Sequence, residues 1–364
     1  MEKKMNILYF TRTMGVGGTE KVILQLCESL NGNFKKIIVC SSGGENVEVL
    51  KKLGIKHYKI NDIENKNPLY ILSNLIKLKK IITEENIDIV HTHHRMAAFY
   101  TRLLTNFKNF KFVHTAHNTF FNKKRLTNFA LRKSEIISVG ESVKNNLVNE
   151  FKIPKDRIQV IYNSVVTKSG SSVLLEEIQS AKKLGFFTVG NIGRICEQKG
   201  MEYFVKAINE VINKNLKMKF FIIGDGEDRD KIEDLIKKFK LEKHVTILGY
   251  RKDVLNIMAQ LDLIVLSSLW EGLPLTPIEA FSLGKTVIGT NVDGTPEIIE
   301  NGRNGILVEP KDYITLAKKI IYLEENNEIL KQLEIQALKT YNNKFSYKKF
   351  EKSYVNYYKK LLEN

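Results

Sequence analysis

Residues 262–288, "DLIVLSSLWEGLPLTPIEAFSLGKTVI", carry the strongest indication of the fold class. The apolar, β-prone run from Leu263 to Leu266 leads into a turn with proline and glycine, and a helix-like segment and a second apolar run follow. A strand, a turn, a helix and another strand in this order are typical of a parallel sheet. Glu271 falls on the predicted turn and Glu279 in the predicted helix, although either could be an ordinary solvated carboxylate.

The same alternation of short apolar runs and helix-length segments extends through the whole chain. In the first half the predicted strands are "NILYF", "KKIIVCS", "DIVHTH", "KFVHTAH", "EIISVG" and "IQVIYN". A second series, "FFTVGNIG", "KFFIIGDG", "HVTILGY", "DLIVLSS" and "KTVIGTN", begins after residues 164–185, a Ser-, Gly- and Lys-rich segment that we interpret as a linker or the approach to one. We therefore expect an α/β protein with two doubly wound, Rossmann-like domains facing a central cleft, with ligands beyond the carboxyl ends of the strands.

The composition is that of a globular protein with two domains. The chain has 364 residues, of which 43% are hydrophobic and 27% are charged. Its three cysteines (Cys27, Cys40 and Cys196) are far apart, which favours a reducing compartment and argues against a structural zinc site. The apolar run in "MEKKMNILYF" is too short for a signal peptide, and no stretch is long and apolar enough for a membrane span. We expect a cytoplasmic protein that is soluble or peripheral on a membrane.

The positive charge is concentrated in the first half of the chain. The net charge is +16, and residues 1–165 contain 27 Lys and Arg against 14 Asp and Glu, whereas residues 166–364 contain 30 against 27. Residues 89–134 contain nine Lys and Arg, interleaved with aromatic residues, and no acidic residue. Such a surface should attract a polyanion, either a nucleic acid or an anionic membrane.

Two loops at strand ends could bind phosphate. "GVGGTE", residues 15–20, follows the first strand, and Gly17 and Gly18 would let the backbone of a helix start approach an anion. A dinucleotide fingerprint would need glycine at Glu20, so a plain tight turn remains an equal alternative. "GNIGRICEQKG" places Arg194 and Lys199 on either side of a turn, where they could neutralise a diphosphate or could simply be solvated cations.

The "GLPLT" loop, residues 272–276, adds a third candidate. If the helix begins at Leu275 or Thr276, the backbone N–H groups of the loop can cap a phosphate, with Glu271 beside it. Glu279, farther along the helix, can accept hydrogen bonds from two adjacent hydroxyl groups, as on a ribose or a pyranose.

Taken together, these residues resemble the retaining glycosyltransferases of family 4, which have the GT-B fold. The Glu-x7-Glu pattern, the "GR…KG" pair, the "GGTE" loop and the "DGTPEII" loop, residues 293–299, fall in the family's order, and the resemblance extends over essentially the whole chain. It implies that residues 1–165, completed by the closing helix 345–364, bind the acceptor. Residues 166–344 would bind a nucleotide sugar, usually a UDP-sugar.

The resemblance also implies the roles of individual residues. Arg194 and Lys199 would hold the diphosphate, Glu279 the ribose, and Glu271 the region of the donor sugar and phosphate. His117, in "HTAHN", matches the family's active-site histidine, although it could be a structural histidine. The candidate catalytic residues are His117, Arg194, Lys199 and Glu271. The candidate donor-binding residues are Gly17, Gly18, Arg194, Lys199, Glu271, Gly272, Leu273, Pro274, Leu275, Thr276 and Glu279.

The function expected from this resemblance is metal-independent transfer of a hexosyl or N-acetylhexosaminyl group, without a cofactor, from a UDP-sugar to a glycan acceptor. The acceptor would be lipid-linked, and the pathway would make a cell-surface polysaccharide or glycan. A sugar-nucleotide epimerase of the same fold is the enzymatic alternative. A nucleic-acid-binding protein is the non-enzymatic one, but the sequence contains no recognition-helix or single-strand-binding motif, so we expect no nucleic acid partner.

Two further patterns could indicate metal binding. His91, His93 and His94 are adjacent, but no carboxylate follows within forty residues to complete a site. Asp228 and Asp230 form a D-x-D pattern, but they begin a predicted helix, where acidic residues complement the positive end of the dipole. We therefore expect no metal site.

Adjacent aromatic and basic residues predict a membrane-facing loop. "FFNKKR", residues 120–125, suits a loop that dips into an anionic lipid interface, whereas Phe112 and Phe129 are expected in the core. We expect this loop to contact the inner face of the cell membrane. The predicted contact residues are Arg95, Phe120, Phe121, Lys123, Lys124 and Arg125.

Overall fold

The computed structural model describes residues 5–166, 173–214 and 216–363. The chain divides into two compact units. The first comprises Met1–Asn163 together with Tyr347–Asn364, and the second comprises Ser164–Ser346. Each unit contains one parallel β-sheet with helices packed against it.

The first unit has a seven-stranded sheet in the order β3-β2-β1-β4-β5-β6-β7. Its elements in chain order are β1 Asn6–Phe10, α1 Gly18–Ser29, β2 Lys36–Ser41, α2 Val47–Lys52, β3 Lys56–Lys59, α3 Pro68–Glu84, β4 Ile89–Thr92, α4 Arg95–Leu104, β5 Lys111–Ala116, α5 Lys124–Leu131, β6 Glu135–Ser138, α6 Glu141–Phe151 and β7 Ile158–Val160. The order reverses between β1 and β4, which makes the carboxyl ends of these two strands the switch point where ligands bind in such sheets.

The second unit has a six-stranded sheet in the order β10-β9-β8-β11-β12-β13. Its elements are α7 Glu176–Lys183, β8 Phe187–Ile192, α8 Met201–Ile212, β9 Met218–Ile223, α9 Arg229–Lys238, β10 Val245–Gly249, α10 Val254–Gln260, β11 Leu263–Leu266, α11 Leu275–Ser282, β12 Val287–Thr290, β13 Ile306–Val308, α12 Tyr313–Glu325 and α13 Asn327–Thr340. The switch point of this sheet lies between β8 and β11.

The closing helix, α14 Tyr347–Glu363, belongs to the first unit. Four of its aromatic side chains, Phe350, Tyr354, Tyr357 and Tyr358, are buried in the same core cluster as α1 and one face of the sheet. On the opposite face, α3 and α4 share a second core cluster with residues of β1, β2 and β4. The predicted α/β class and the return of the closing helix are thus both confirmed.

The structure corrects the sequence prediction in three places. The strands β3 and β13 were not predicted, because "KHYK" is polar and "ILV" is very short. The interpretation of residues 164–185 as a linker is wrong for α7, whose first turn carries Glu176 and Glu177 and whose last turn carries Lys182 and Lys183. These charges complement the helix dipole at both ends. Residues 167–172 of that segment lie outside the described residues.

Candidate active site

Two loops meet at the switch point of the second unit. Lys199 lies on the loop after β8, Glu271 lies on the loop after β11, and Lys199 Nζ is 2.6 Å from Glu271 Oε1. The hydroxyl of Ser268 donates a second hydrogen bond to the same carboxylate oxygen at 2.6 Å. The Glu271 side chain is 6% exposed and that of Lys199 is 19% exposed. Neither is an ordinary solvated charge.

The two loops are joined by further hydrogen bonds. Ser267 Oγ donates to the carbonyl oxygen of Lys199 at 2.9 Å, and Asn191 Nδ2 donates to Ser267 Oγ at 2.9 Å. The backbone N–H of Leu269 donates to the carbonyl oxygen of Gln198 at 2.7 Å. Gly200 has a φ of +55°, and an added Cβ would collide with the Ser267 carbonyl oxygen. Only glycine fits there, so the position of Lys199 is determined by the backbone around it.

The loop after β12 completes this edge of the sheet. The backbone N–H of Glu271 donates to Asp293 Oδ2 at 2.8 Å, and a Cβ on Gly294 would collide with the carbonyl oxygen of Gly272. Asp293 thereby fixes the backbone that carries Glu271. Asp293, the first residue of the "DGTPEII" motif, and Ser268 were not predicted as site residues. The signals available were a carboxylate opening that motif and two serines following a buried strand.

Helix α11 begins at Leu275, one of the two predicted positions. Pro274 precedes it and Pro277 lies in its first turn, and neither residue has a backbone N–H. In the first turn only the N–H groups of Leu275 and Thr276 can therefore serve an anion. Glu279 lies four residues after the start of α11 and is buried, with 5% of its surface exposed.

Arg194 differs from Lys199. Its side chain is 71% exposed, and its Nε donates to Glu227 Oε2 at 3.1 Å. The guanidinium is therefore a solvated cation paired with a carboxylate on the loop after β9. Such an exposed pair is weak and can exchange one anion for another.

The glycine loop of the first unit is packed by its own neighbours. Helix α1 begins at Gly18, with Gly17 at the N-cap, and Asn46 Nδ2 donates to the carbonyl oxygen of Gly15. A Cβ on Gly17 would collide with the carboxylate of Glu20, which also accepts a hydrogen bond from Thr13 Oγ1 at 2.8 Å. The Glu20 carboxylate thus lies against the start of the helix, which favours the tight-turn interpretation of this loop.

His117, directly after β5, lies beside His93, directly after β4. His93 Nδ1 is 3.0 Å from His117 Nε2. Among the described residues, the buried Nε2 of His93 has no hydrogen-bond partner. Because an unpaired N–H is rarer in protein interiors than an unpaired acceptor, this arrangement favours a proton on His93 Nδ1, which donates to His117. His117 then carries its own proton on Nδ1.

Burial determines the charge state of these imidazoles. It lowers the pKa of His117 and that of His114 to about 3, and it lowers the pKa of His93 well below the usual value. At neutral pH, His117 is an uncharged hydrogen-bonding group. The arrangement can orient a substrate hydroxyl, whereas a general acid at neutral pH would need a higher pKa.

A cavity of about 170 Å³ adjoins this pair. Arg95, at the start of α4, lies over the ring of Phe120 with 3.8 Å between its guanidinium carbon and the ring centre. Arg95 also donates to Asn122 Oδ1 at 3.2 Å and to Thr127 Oγ1 at 3.3 Å. The residues that line the cavity include His93, His117, Arg95, Asn118, Phe120 and Lys123.

The remaining residues of the predicted membrane loop have different environments. Phe121 is 70% exposed, whereas Lys124 forms an ion pair with Glu150 at 2.7 Å. Lys123 precedes α5 with a φ of +53°, and Arg125 is exposed. The expectation for Phe112 is confirmed, but that for Phe129 is wrong. Phe129 is partly exposed and packs against Phe99 and the Arg102 guanidinium.

The residues considered for metal binding have other roles. His91 Nδ1 is 2.6 Å from the Tyr358 hydroxyl and its Nε2 is 2.7 Å from Thr115 Oγ1, so it links α14 to the sheet. Asp228 is the N-cap residue of α9 and Asp230 lies in its first turn. Across residues 5–166, 173–214 and 216–363, no group of three His, Cys, Asp or Glu side chains is arranged to hold a metal ion. Within the same ranges, no helix is long and apolar enough to cross a membrane.

Two family models match the chain. The model described as Glycosyl transferases group 1 matches residues 175–340, and the model described as Glycosyltransferase Family 4 matches residues 16–169. The chain belongs to this glycosyltransferase family, and its two parallel-sheet units are those of the GT-B fold.

Three similar proteins illustrate the relationship. An uncharacterized glycosyltransferase of Methanocaldococcus jannaschii is 31% identical over 76% of this chain and 77% of its own length. The UDP-Gal:alpha-D-GlcNAc-diphosphoundecaprenol alpha-1,3-galactosyltransferase of Escherichia coli is 28% identical over 85% of this chain and 86% of its own. A crystal structure of a glycosyltransferase from Rickettsia africae matches all of both chains with a TM-score of 0.86 at 27% identity.

Proposed function

We propose that this glycosyltransferase moves a sugar from a UDP-sugar to a lipid-linked glycan acceptor with retention of anomeric configuration. The observation that carries the proposal is the switch point of the second unit, where Lys199, Glu271 and the first turn of α11 lie at the carboxyl ends of neighbouring strands. The name of the Escherichia coli relative supports a UDP-sugar as donor.

In the proposed donor site, different side chains bind different parts of the UDP-sugar. Lys199 and Arg194 neutralise the diphosphate, together with the N–H groups of Leu275 and Thr276. The buried carboxylate of Glu279 accepts hydrogen bonds from the two ribose hydroxyls. Glu271 orients the transferred sugar, and its contact with Lys199 links that orientation to the charge on the leaving diphosphate. Gly272, Leu273 and Pro274 contribute backbone to the same loop, and Gly17 and Gly18 shape the corresponding loop of the first unit.

The chemistry needs no metal and no cofactor in this proposal. The acceptor hydroxyl attacks from the face of the leaving group, and the departing phosphate oxygen removes its proton. Protein cations stabilise the charge that develops on the diphosphate. Neutral His117, held by His93, donates a hydrogen bond from Nδ1 to a sugar hydroxyl and keeps it in place.

The acceptor is lipid-linked and lies at the cytoplasmic leaflet of the cell membrane. Support comes from the basic composition of residues 89–134 and from the acceptor in the name of the Escherichia coli relative, a sugar on diphosphoundecaprenol. The product would be part of a cell-surface polysaccharide or glycan.

The test is incubation of the purified protein with a panel of radiolabelled nucleotide sugars and with lipid-linked and soluble glycan acceptors. We expect label from one UDP-sugar in the glycan, with retained anomeric configuration by NMR, and we expect the Glu279→Gln variant to need a higher concentration of that UDP-sugar. Conversion of a UDP-sugar to its epimer without transfer would contradict the proposal and identify an epimerase. Inversion at the anomeric carbon would contradict the proposed mechanism.

A further inference from the structure

Helix α3 is apolar on two opposite faces. On its inner face Leu78, Ile81 and Ile82 are buried in the core cluster shared with α4. On its outer face Leu69, Leu72 and Ile76 are 73%, 56% and 60% exposed. Their spacing of three and four residues places them in one row along the helix. Single exposed leucines are normal on protein surfaces, but a continuous apolar row marks a contact surface.

One exposed aromatic side chain, Phe107, extends this row from the turn after α4. Tyr70 is also exposed, but it lies about 100° around the helix from Leu69, outside the row. Phe107 is held beside α3, because Lys79 Nζ lies 4.7 Å from its ring centre and the neighbouring Lys108 donates to the carbonyl oxygen of Ile82 at 3.0 Å. We call Leu69, Leu72, Ile76 and Phe107 the α3 face.

The α3 face is bordered by positive charge. Lys77, Lys79 and Lys80 are exposed on the second half of the helix, and Lys66 is exposed just before it. The acidic residues nearest in sequence are paired with cations. Asp62 and Glu64 contact Arg12, and Glu84 lies 3.7 Å from Lys80.

We propose that the α3 face docks this protein on an anionic lipid membrane, with its apolar side chains in the interface and the lysines at the headgroups. Leucine and aromatic side chains beside lysine are the composition of helices that lie in a membrane interface. The long lysine side chains can extend to the headgroups while their methylene groups stay near the apolar row. An isologous contact between two copies would instead bring these lysines close to each other, which disfavours a dimer through this face.

This surface differs from the loop predicted from the sequence. In that loop Phe120 is covered by Arg95 and Lys124 is paired with Glu150, so Phe121 is its main exposed aromatic side chain. The α3 face offers four exposed apolar side chains in one place. Binding to lipid through it does not require any particular donor or acceptor, so it can be tested separately from sugar transfer.

The experiment is flotation of the full chain with vesicles of phosphatidylcholine alone or mixed with phosphatidylglycerol. The test variant is Leu69→Gln with Leu72→Gln. The matched control is Ile335→Gln with Leu338→Gln, which removes exposed apolar side chains at the same spacing from α13 in the second unit. A loop variant, Phe121→Gln, tests the sequence-based prediction. Melting temperatures and UDP affinity show that each variant folds and keeps its donor site.

We expect the wild type to bind the anionic vesicles and to dissociate in high salt. The α3 variant should bind at least about tenfold more weakly, because burying each leucine contributes on the order of a factor of ten. The α13 variant should bind as the wild type does. Wild-type binding by the α3 variant would overturn the proposal, as would loss caused only by Phe121→Gln. Loss of a dimer by the α3 variant, without any effect on lipid binding, would assign the face to a second copy instead.

Discussion

Lys199 Nζ and Glu271 Oε1 are separated by 2.6 Å across the switch point of the second sheet. The two residues are 72 positions apart in sequence, and each is positioned by its own glycine- or serine-containing loop. An anion that binds at Lys199 must therefore share this cation with Glu271. The pair connects the diphosphate region to the residue proposed to orient the sugar.

Alanine substitutions of Lys199 and Arg194 should both reduce turnover, but only the substitution of Lys199 should lower the free energy of unfolding. Replacing either with alanine should raise the barrier by about 2–4 kcal/mol, as for loss of one charge-stabilising group. Lys199→Ala should also lower the free energy of unfolding by about 3 kcal/mol, because it leaves the buried Glu271 carboxylate without its cation. Arg194→Ala should leave stability unchanged, because Arg194 is largely exposed.

Steady-state kinetics and urea unfolding measure both effects. Arg303→Ala is the matched control, since Arg303 forms an exposed ion pair with Glu300 before β13, at the opposite end of the sheet. Near-normal turnover in both Lys199→Ala and Arg194→Ala would remove the diphosphate assignment.

Glu271 and Glu279 should separate catalysis from nucleotide binding. Glu279→Gln should weaken UDP affinity, because UDP alone carries the ribose that Glu279 is proposed to bind. Glu271→Gln should reduce transfer and leave UDP affinity largely intact. Isothermal titration with UDP and turnover assays distinguish the two, and equal loss of UDP affinity would contradict this division.

His93 should act on His117 through the hydrogen bond from its Nδ1. His93→Asn retains an N–H donor near that position, whereas His93→Leu removes it and leaves the His117 acceptor unpaired. We expect His93→Leu to cost about 1–3 kcal/mol of transition-state stabilisation, and His93→Asn to recover most of it. Transfer rates at neutral pH measure this, and equal activity of the two variants would show that the hydrogen bond is not used.

The imidazoles of His114 and His117 should make the first unit less stable in mild acid. In the unfolded chain histidine takes up a proton near pH 6.5, but in the folded unit burial lowers the pKa of His114 and His117 to about 3. Between these values the unfolded state binds more protons, so stability is complete above about pH 6.5 and falls as the pH decreases. The slope is about 1.4 kcal/mol per pH unit for each such imidazole.

Hydrogen exchange of peptides from β4 and β5, compared between neutral pH and about pH 5 after correction for intrinsic exchange, measures this loss. Peptides from β8 and β11 are the internal control, because residues 164–346 contain a single histidine, His244. Unchanged protection of β4 and β5 at the lower pH would mean that the imidazoles can charge in the folded protein.

A chelator should leave transfer activity unchanged. Asp228 and Asp230 lie at the start of α9 and serve its dipole, so Asp228→Asn with Asp230→Asn should also retain nearly normal turnover. Activity that is lost with chelator and restored by manganese would instead assign these carboxylates to a metal.

The strands and the motif order were predictable because they depend on local sequence. Buried strands such as β11 are continuous apolar runs, whereas the polar edge strand β3 has no such signal. The side-chain partners were not predictable, since they depend on which loops meet in the folded sheet. The ion pair of Lys199, the contact of Asp293 with the Glu271 N–H and the packing of Glu20 against Gly17 are of this kind.

The closing helix has a consequence for the order in which the protein can fold during synthesis. Tyr354 and Tyr358 of α14 are core residues of the first unit, and the Tyr358 hydroxyl lies 2.6 Å from His91. A ribosome makes all of residues 164–346 before it makes this helix. The second unit can therefore fold on the nascent chain while the first still exposes the apolar surface that α14 covers. Until translation reaches α14, that open surface is where a chaperone would bind.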